Sequence, residues 1–176
     1  MRCFRAITLP LLMSLALVTP LAAQVKGGGG GGGDETTVFE EHDPVMNAAI
    51  AEAQAGLPRF LTEVLNADGE SQGRGTVKVA FRTFPVDHGD EIIWVRDISQ
   101  RAGGQFTGFL NNAPVNLGDW REGSQVQFSY EMIQDWSLTS PAGRLWGNYT
   151  TRVIADLPGN GYLWDYLEPA PLPPGW

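Results

Sequence analysis

The 176-residue chain contains one cysteine, Cys3, and only two histidines, His42 and His88. Cys3 belongs to the charged head of an N-terminal segment that reads as an export signal, so the exported chain is expected to hold no cysteine. Such a chain must be held together by its core alone, and thiol catalysis and zinc–thiolate sites are excluded. The two histidines form no i, i+4 pair, which leaves a catalytic metal without a credible ligand set. Cations are scarce as well, 12 Lys and Arg against 20 Asp and Glu, for a net charge of −8. That balance argues against nucleic acid and anionic lipid headgroups as partners, which need a basic footprint. It permits a basic protein partner and is equally an ordinary route to solubility.

What is present begins with "MRCFRAITLPLLMSLALVTPLAAQ": Arg2 and Arg5, an apolar run from Ile7 to Val18, then Pro20 and small residues. The run is too short to span a bilayer of about 30 Å and no stop-transfer pattern follows it, so residues 1–23 are expected to be a cleaved secretory signal. No integral membrane segment is then expected, and the location is periplasmic or secreted. Cys3 lies away from the cleavage point, which argues against a lipoprotein anchor. Losing Arg2 and Arg5 with no acid takes the net charge from −8 to −10. Residues 24–42 form a glycine-rich acidic linker. Gly27 to Gly33 is followed by Asp34 and Glu35 and not by a Lys-Ser/Thr pair, so it reads as a tether of about 15 Å r.m.s. and not as a phosphate loop. No cofactor is expected.

The folded part should begin with a helix capped by Asp43, with Pro44 at its first position and Ile50, Ala53 and Leu57 on one face. Gly56 and Pro58 interrupt the pattern before Phe60, Leu61, Val64 and Leu65 resume it, so two short helices or one kinked helix are expected. Then "GTVKVAFRTF" alternates Val77, Val79 and Phe81 with Lys78, Ala80 and Arg82, as a half-buried strand does. "DEIIWVRDI", "GQFTGFLNN" and "SQVQFS" supply further strands. A turn at Tyr130 to Met132 leads to "DWSLTSPAGRLWG", where Ser140 to Gly143 predicts a type I turn in a last hairpin. The fold class is therefore α+β, an N-terminal helical segment packed on a mostly antiparallel sheet of five or six short strands. Residues 43–154 form the domain. Residues 155–176 form a Pro- and aromatic-rich tail whose Tyr162, Trp164 and Tyr166 should wrap over the sheet, whose "PLPPGW" should be extended, and whose Trp176 is left open.

Chemical motifs are weak. "GESQG", Gly69 to Gly73, matches a nucleophile elbow in letters only, because it lies in a loop before a strand and the only later histidine, His88, follows seventeen residues on with no room for the intervening unit. "DHGD" groups Asp87, His88 and Asp90 but reads as a polar hairpin turn. Asp97, Asp119, Glu122 and Asp135 are carboxylates that could flank a glycoside, a reading decided by separations that sequence does not measure. Trp94 and Trp136 sit inside strand-like runs and are expected in the core; Trp120, in a turn, is expected to be exposed.

The segments "DPVMNAAIAEAQAGLPRFL", "VKVAF", "IIWVRDI", "GGQFTGFLNNAPVNLGDWREGSQVQFSYEMIQDWSL" and "GRLWGNYTTRVI", in that order, resemble the YegJ-like family of small bacterial proteins, a domain of unknown function. The resemblance covers about residues 43–154 and departs at Ser124, where the family pattern carries Asp. It implies no reaction, cofactor or active site. A weaker similarity, through the "WV" and "DW" elements, is to domains that act as immunity proteins beside bacterial toxins. Two readings of Asp135 and Trp136 stay open: a structural corner, with Asp135 accepting backbone N–H groups or pairing with Arg152 or Arg96, or a recognition surface with Tyr149 and Arg152. The full candidate surface is Trp94, Arg96, Asn112, Trp120, Asp135, Trp136, Tyr149 and Arg152, with no catalytic, metal or cofactor residue among them. The expected function is a non-catalytic interaction module of the cell envelope with a protein partner. The alternatives are an immunity-type or inhibitor protein, and a cell-wall hydrolase.

Overall fold

The computed structural model describes residues 43–87 and 89–176. The stretches expected to be signal and linker, with His42, and also His88 lie outside the described residues. Helix α1 runs Pro44–Val64, and Asp43 Oδ1 caps it by accepting from the N–H groups of Val45 at 2.8 Å and Met46 at 3.1 Å. Of the two forms expected there, two short helices or one kinked helix, the chain forms a single helix: α1 passes through both Gly56 and Pro58. Proline in a helix interior costs about 3 kcal/mol, because the carbonyl four residues earlier loses its donor. Ala53, Leu57, Phe60, Leu61 and Val64 are buried on the same face, and each large apolar side chain removed from water returns about 1.5–3 kcal/mol. Burial therefore outweighs the proline.

Six strands follow: β1 Gly75–Arg82, β2 Asp90–Gln100, β3 Gln105–Leu110, β4 Gln125–Ser129, β5 Ile133–Thr139 and β6 Leu145–Gly147. They form one antiparallel sheet in the order β4-β3-β2-β1-β5-β6, so the α+β class read from sequence is the observed one. The link from β4 to β5 shapes it. From Ser129 to Ile133 the chain reaches at most ~14 Å, whereas four strand spacings in a flat sheet amount to ~19 Å. The sheet must curl, and Phe81 of β1 accordingly meets Phe128 of β4 edge-on at 6.5 Å. The concave side holds Val77, Val79, Phe81, Ile93, Val95 and Phe128 in one core cluster with Ala53, Leu57 and Phe60 of α1.

A second helix, α2 Tyr149–Ala155, follows β6 where no helix was expected. Gly147 makes the reversal possible. Its φ is +71°, and a Cβ there would lie 2.2 Å from the Trp136 carbonyl oxygen, so only glycine fits. The tail then covers the outer edge of β6: Leu145 N–H donates to the Tyr166 carbonyl, and Glu168 and Gly147 N–H donate to the carbonyls of Leu145 and Pro171. An edge closed in this way cannot pair with another chain. Of the three residues expected to wrap, Trp164 does so, half-buried with the Arg152 guanidinium 5.6 Å from its ring centre. Leu167 is buried and Trp176 packs on Trp136 at 5.6 Å, while Tyr162 and Tyr166 stay exposed. The last residues are not extended either, since Trp176 N–H closes a turn onto the Pro173 carbonyl at 3.2 Å.

Candidate functional site

Pairing register sorts the candidate residues between the two faces of the sheet. Val77 and Val95 pair and face α1, so their neighbours Lys78 and Trp94, also paired, face the convex side. Ala80 and Ile92 follow on the same side, as do Arg96 and Phe109. Lys78 Nζ lies 4.9 Å from the centre of the Trp94 ring, and the Arg96 guanidinium lies 5.7 Å from that of Phe109. Ile92, near the start of β2, is 46% exposed. Arg96 is ion-paired with its neighbour Asp97, which sits at φ +51° in the β2 bulge, and Arg82 pairs with Asp87 at 3.3 Å and Asp90 at 3.2 Å. The convex face is thus an apolar and aromatic strip crossed by cations whose charges are locally balanced.

Three of the expected surface residues are interior. Trp136 is 0% exposed and Asp135 1%, and Tyr149 is also buried, so they build the frame and do not form a recognition surface with Arg152. Asp135 Oδ1 accepts from Trp136 N–H at 2.8 Å, and Oδ2 accepts from Thr150 N–H at 2.8 Å and Thr150 Oγ1 at 2.7 Å. Thr150 Oγ1 in turn accepts from Lys78 Nζ at 3.2 Å. The cation facing Asp135 is therefore Lys78, buried at its cross-strand position, and not Arg152 or Arg96. Burial pushes the Asp135 carboxyl above the ordinary carboxylate range, opposed by Lys78 and by the hydrogen bonds from Thr150 and Trp136. Burial likewise raises the Tyr149 phenol, helped by the charge of Asp135, and lowers the half-buried Arg152 guanidinium. Arg152 spends its donors on the carbonyls of Gly147, Glu168 and Ala170 and covers the Trp164 ring, holding the tail.

Trp120 is not exposed as expected. It is half-buried and meets Phe81 and Phe84 edge-on at 5.5 and 5.3 Å, on the opposite side of the sheet from Trp94. Trp94 is half-buried and not in the core. Asn112 is structural, its Oδ1 accepting from Trp94 N–H at 3.2 Å beyond the end of β3. Ser71, in the "GESQG" stretch, is buried and accepts from Ile98 N–H at 2.8 Å. Asp119 and Glu122 are exposed on the loop before β4. Sequence reasoning missed Glu91, whose two oxygens each accept a backbone N–H, from Val115 and Asn116, at 2.7 Å. It also missed an open groove of about 370 Å³ between the end of α1 and the tail, lined in part by Trp146 and Trp176 and rimmed by the exposed pair Glu63 and Arg74 at 3.5 Å. Among the described residues no group of three or more His, Cys, Asp and Glu side chains is placed to hold a metal ion, and no helix is long and apolar enough to cross a membrane.

Residues 43–161 match the family model described as "Uncharacterized protein conserved in bacteria (DUF2314)". The chain belongs to that family. The match starts at the cap of α1 and runs past α2 into the beginning of the tail, so DUF2314 takes in the whole sheet and both helices. No curated protein and no solved structure matches the chain.

Proposed function

We propose that this DUF2314 protein is an exported module of the bacterial cell envelope that works by binding a protein partner, without catalysis, through the convex sheet face at Ile92, Trp94, Arg96 and Phe109. The observation that carries the reading is Ile92, 46% exposed near the start of β2 on the same face as Trp94 and Phe109, each of which lies close to a cation. A large β-branched side chain placed there for folding alone gains little from burial, whereas aromatic and arginine side chains in line with an apolar one are the composition of binding hot spots. A convex strand surface suits a folded protein better than a small molecule, which needs a concave site. The acidic balance of the chain speaks against nucleic acid. Export is supported by the signal-like residues 1–23, and the YegJ-like resemblance is compatible with the family.

The test is crosslinked co-purification of the tagged protein from its native envelope, comparing the natural chain with Ile92→Asp and Trp94→Ala. A partner that both variants lose, with their melting temperatures kept, supports the reading. A partner retained by both overturns it. If the partner lost is a toxin or a hydrolase, the module is of the immunity or inhibitor type.

A further inference from the structure

Among the described residues, the sheet has two edges and only one is closed. At β6 the tail occupies the outer backbone groups. At β4 the direction of those groups follows from the ladder. Leu110 N–H donates to the Ser124 carbonyl at 3.0 Å, so with the antiparallel period of two the groups of Val126 and Phe128 point at β3 and those of Gln125 and Gln127 point outward. Neighbouring β2 agrees, because Asn111 N–H donates to the Trp94 carbonyl and places the odd-numbered groups of β3 on the β2 side. Among the described residues the outward groups of Gln125 and Gln127 have no hydrogen-bond partner, and both residues are exposed. Nothing in Gln-Val-Gln-Phe-Ser guards the edge: it has no lysine, no proline, no inward charge and no bulge.

We infer that β4 is a self-association edge, and that its occupant is β4 of a second copy of this chain, paired antiparallel about a two-fold axis at Val126. The register follows from which groups are free. Ser129 N–H is turned to Met132 Sδ at 3.5 Å, which leaves Gln125 and Gln127 as the residues with both groups available. With Val126 opposite its own copy, Gln125 of each chain faces Gln127 of the other, and the ladder gains about four backbone hydrogen bonds. The two side-chain amides then stand directly opposite and can bond each other across the open face. The strand carries none of the chain's 20 acids, so self-pairing brings no like charges together within β4 despite the net charge of −8. A charged partner finds nothing on β4 to read, whereas an identical neutral strand fits by symmetry. One strand pair buries less than the ~1,200 Å² of a standard stable interface, so the dimer is weak and concentration-dependent. The inference does not depend on what the convex face binds.

Sedimentation velocity of the purified protein over a wide concentration series tests it. The natural chain is expected to pass from monomer to dimer, with amide exchange at Gln125 and Gln127 slowing as dimer forms. The double variant Gln125→Lys with Gln127→Lys sets lysine against lysine at both positions and should weaken association about tenfold or more. The double variant Gln125→Lys with Gln127→Glu sets lysine against glutamate and should dimerise at least as tightly as the natural chain at low salt. Both alter exposed side chains; if either loses its fold, the concentration dependence of amide exchange in the natural chain decides alone. A natural chain that stays monomeric up to its solubility limit overturns the inference. So does a dimer that the two-lysine variant leaves untouched, or one that both variants abolish equally.

Discussion

The indole N–H of Trp136 donates to the main-chain carbonyl of Ala53 at 2.9 Å, joining the middle of β5 to the middle of α1 across the core. The same ring stacks on Phe60 at 5.1 Å and meets Tyr149 at 5.8 Å and Trp176 at 5.6 Å, so one side chain ties α1, α2 and the tail to the sheet. Gly56 makes the approach possible, since a Cβ there would lie 3.2 Å from Trp136 Cζ2. Trp136→Ala is therefore expected to cost about 3–5 kcal/mol in denaturant unfolding. Trp136→Phe should cost less, but should still lose the bond to Ala53. An unchanged unfolding midpoint for Trp136→Ala would show that the indole does not hold the layers together.

How far these features were legible follows from local rules. The strands were legible because their concave positions alternate strictly, as Val77, Val79 and Phe81 do. The same alternation misplaced Lys78: its position is on the solvent side by period, and only the arrival of Thr150 and Trp94 there makes it interior. Helix α2 was invisible because Thr150, Thr151, Val153 and Ile154 are β-branched, a composition that favours strands until tertiary contact overrides it. The cap at Asp43 and the turn closed by Gly143 N–H on the Ser140 carbonyl are set by neighbours in sequence and were read directly. The convex strip at Ile92 was read only in part, since naming Trp94 and Arg96 does not reveal that Phe109 joins them from another strand.

Glu91 holds the loop between β3 and β4 by accepting the N–H groups of Val115 and Asn116 from a buried position. Glutamine has one acceptor oxygen where the carboxylate has two, so Glu91→Gln leaves one of these amides without its partner. A loss of about 1–3 kcal/mol follows, with exchange accelerated at Val115 or Asn116. Unchanged exchange at both amides would place the loop's anchor elsewhere, for example at Leu117 in the core.

The tail is held by Arg144 as much as by its own apolar contacts. Its guanidinium donates through Nε to the Leu167 carbonyl at 2.8 Å and through Nη2 to the Trp164 and Leu167 carbonyls. Arg144→Ala should free the tail from β6 and expose bonds beside Tyr162 and Tyr166, which are already at the surface, to chymotrypsin. Cleavage should speed up there while the sheet remains resistant. A cleavage rate equal to that of the natural chain would mean that Leu167 and Trp176 suffice to hold the tail.

Asp135 gives the fold a pH dependence of definite sign. Burial raises its folded-state pKa above 3.8, the value taken for the unfolded chain, so between 3.8 and the raised value the folded state binds the extra proton. The stability contributed by this group is then fully present below 3.8 and is lost as pH rises through the raised pKa. The side-chain amide introduced by Asp135→Asn does not titrate in this range, so the variant serves as a pH-independent reference at this position. The natural protein's stability relative to Asp135→Asn is expected to grow as pH falls from neutral toward 4 (about the carboxylate reference value). Unfolding curves of both proteins across that range give the slope directly. A relative stability that falls with pH would show that Lys78 and the hydrogen bonds from Thr150 and Trp136 outweigh burial, making the carboxylate, and not the acid, the form the fold prefers.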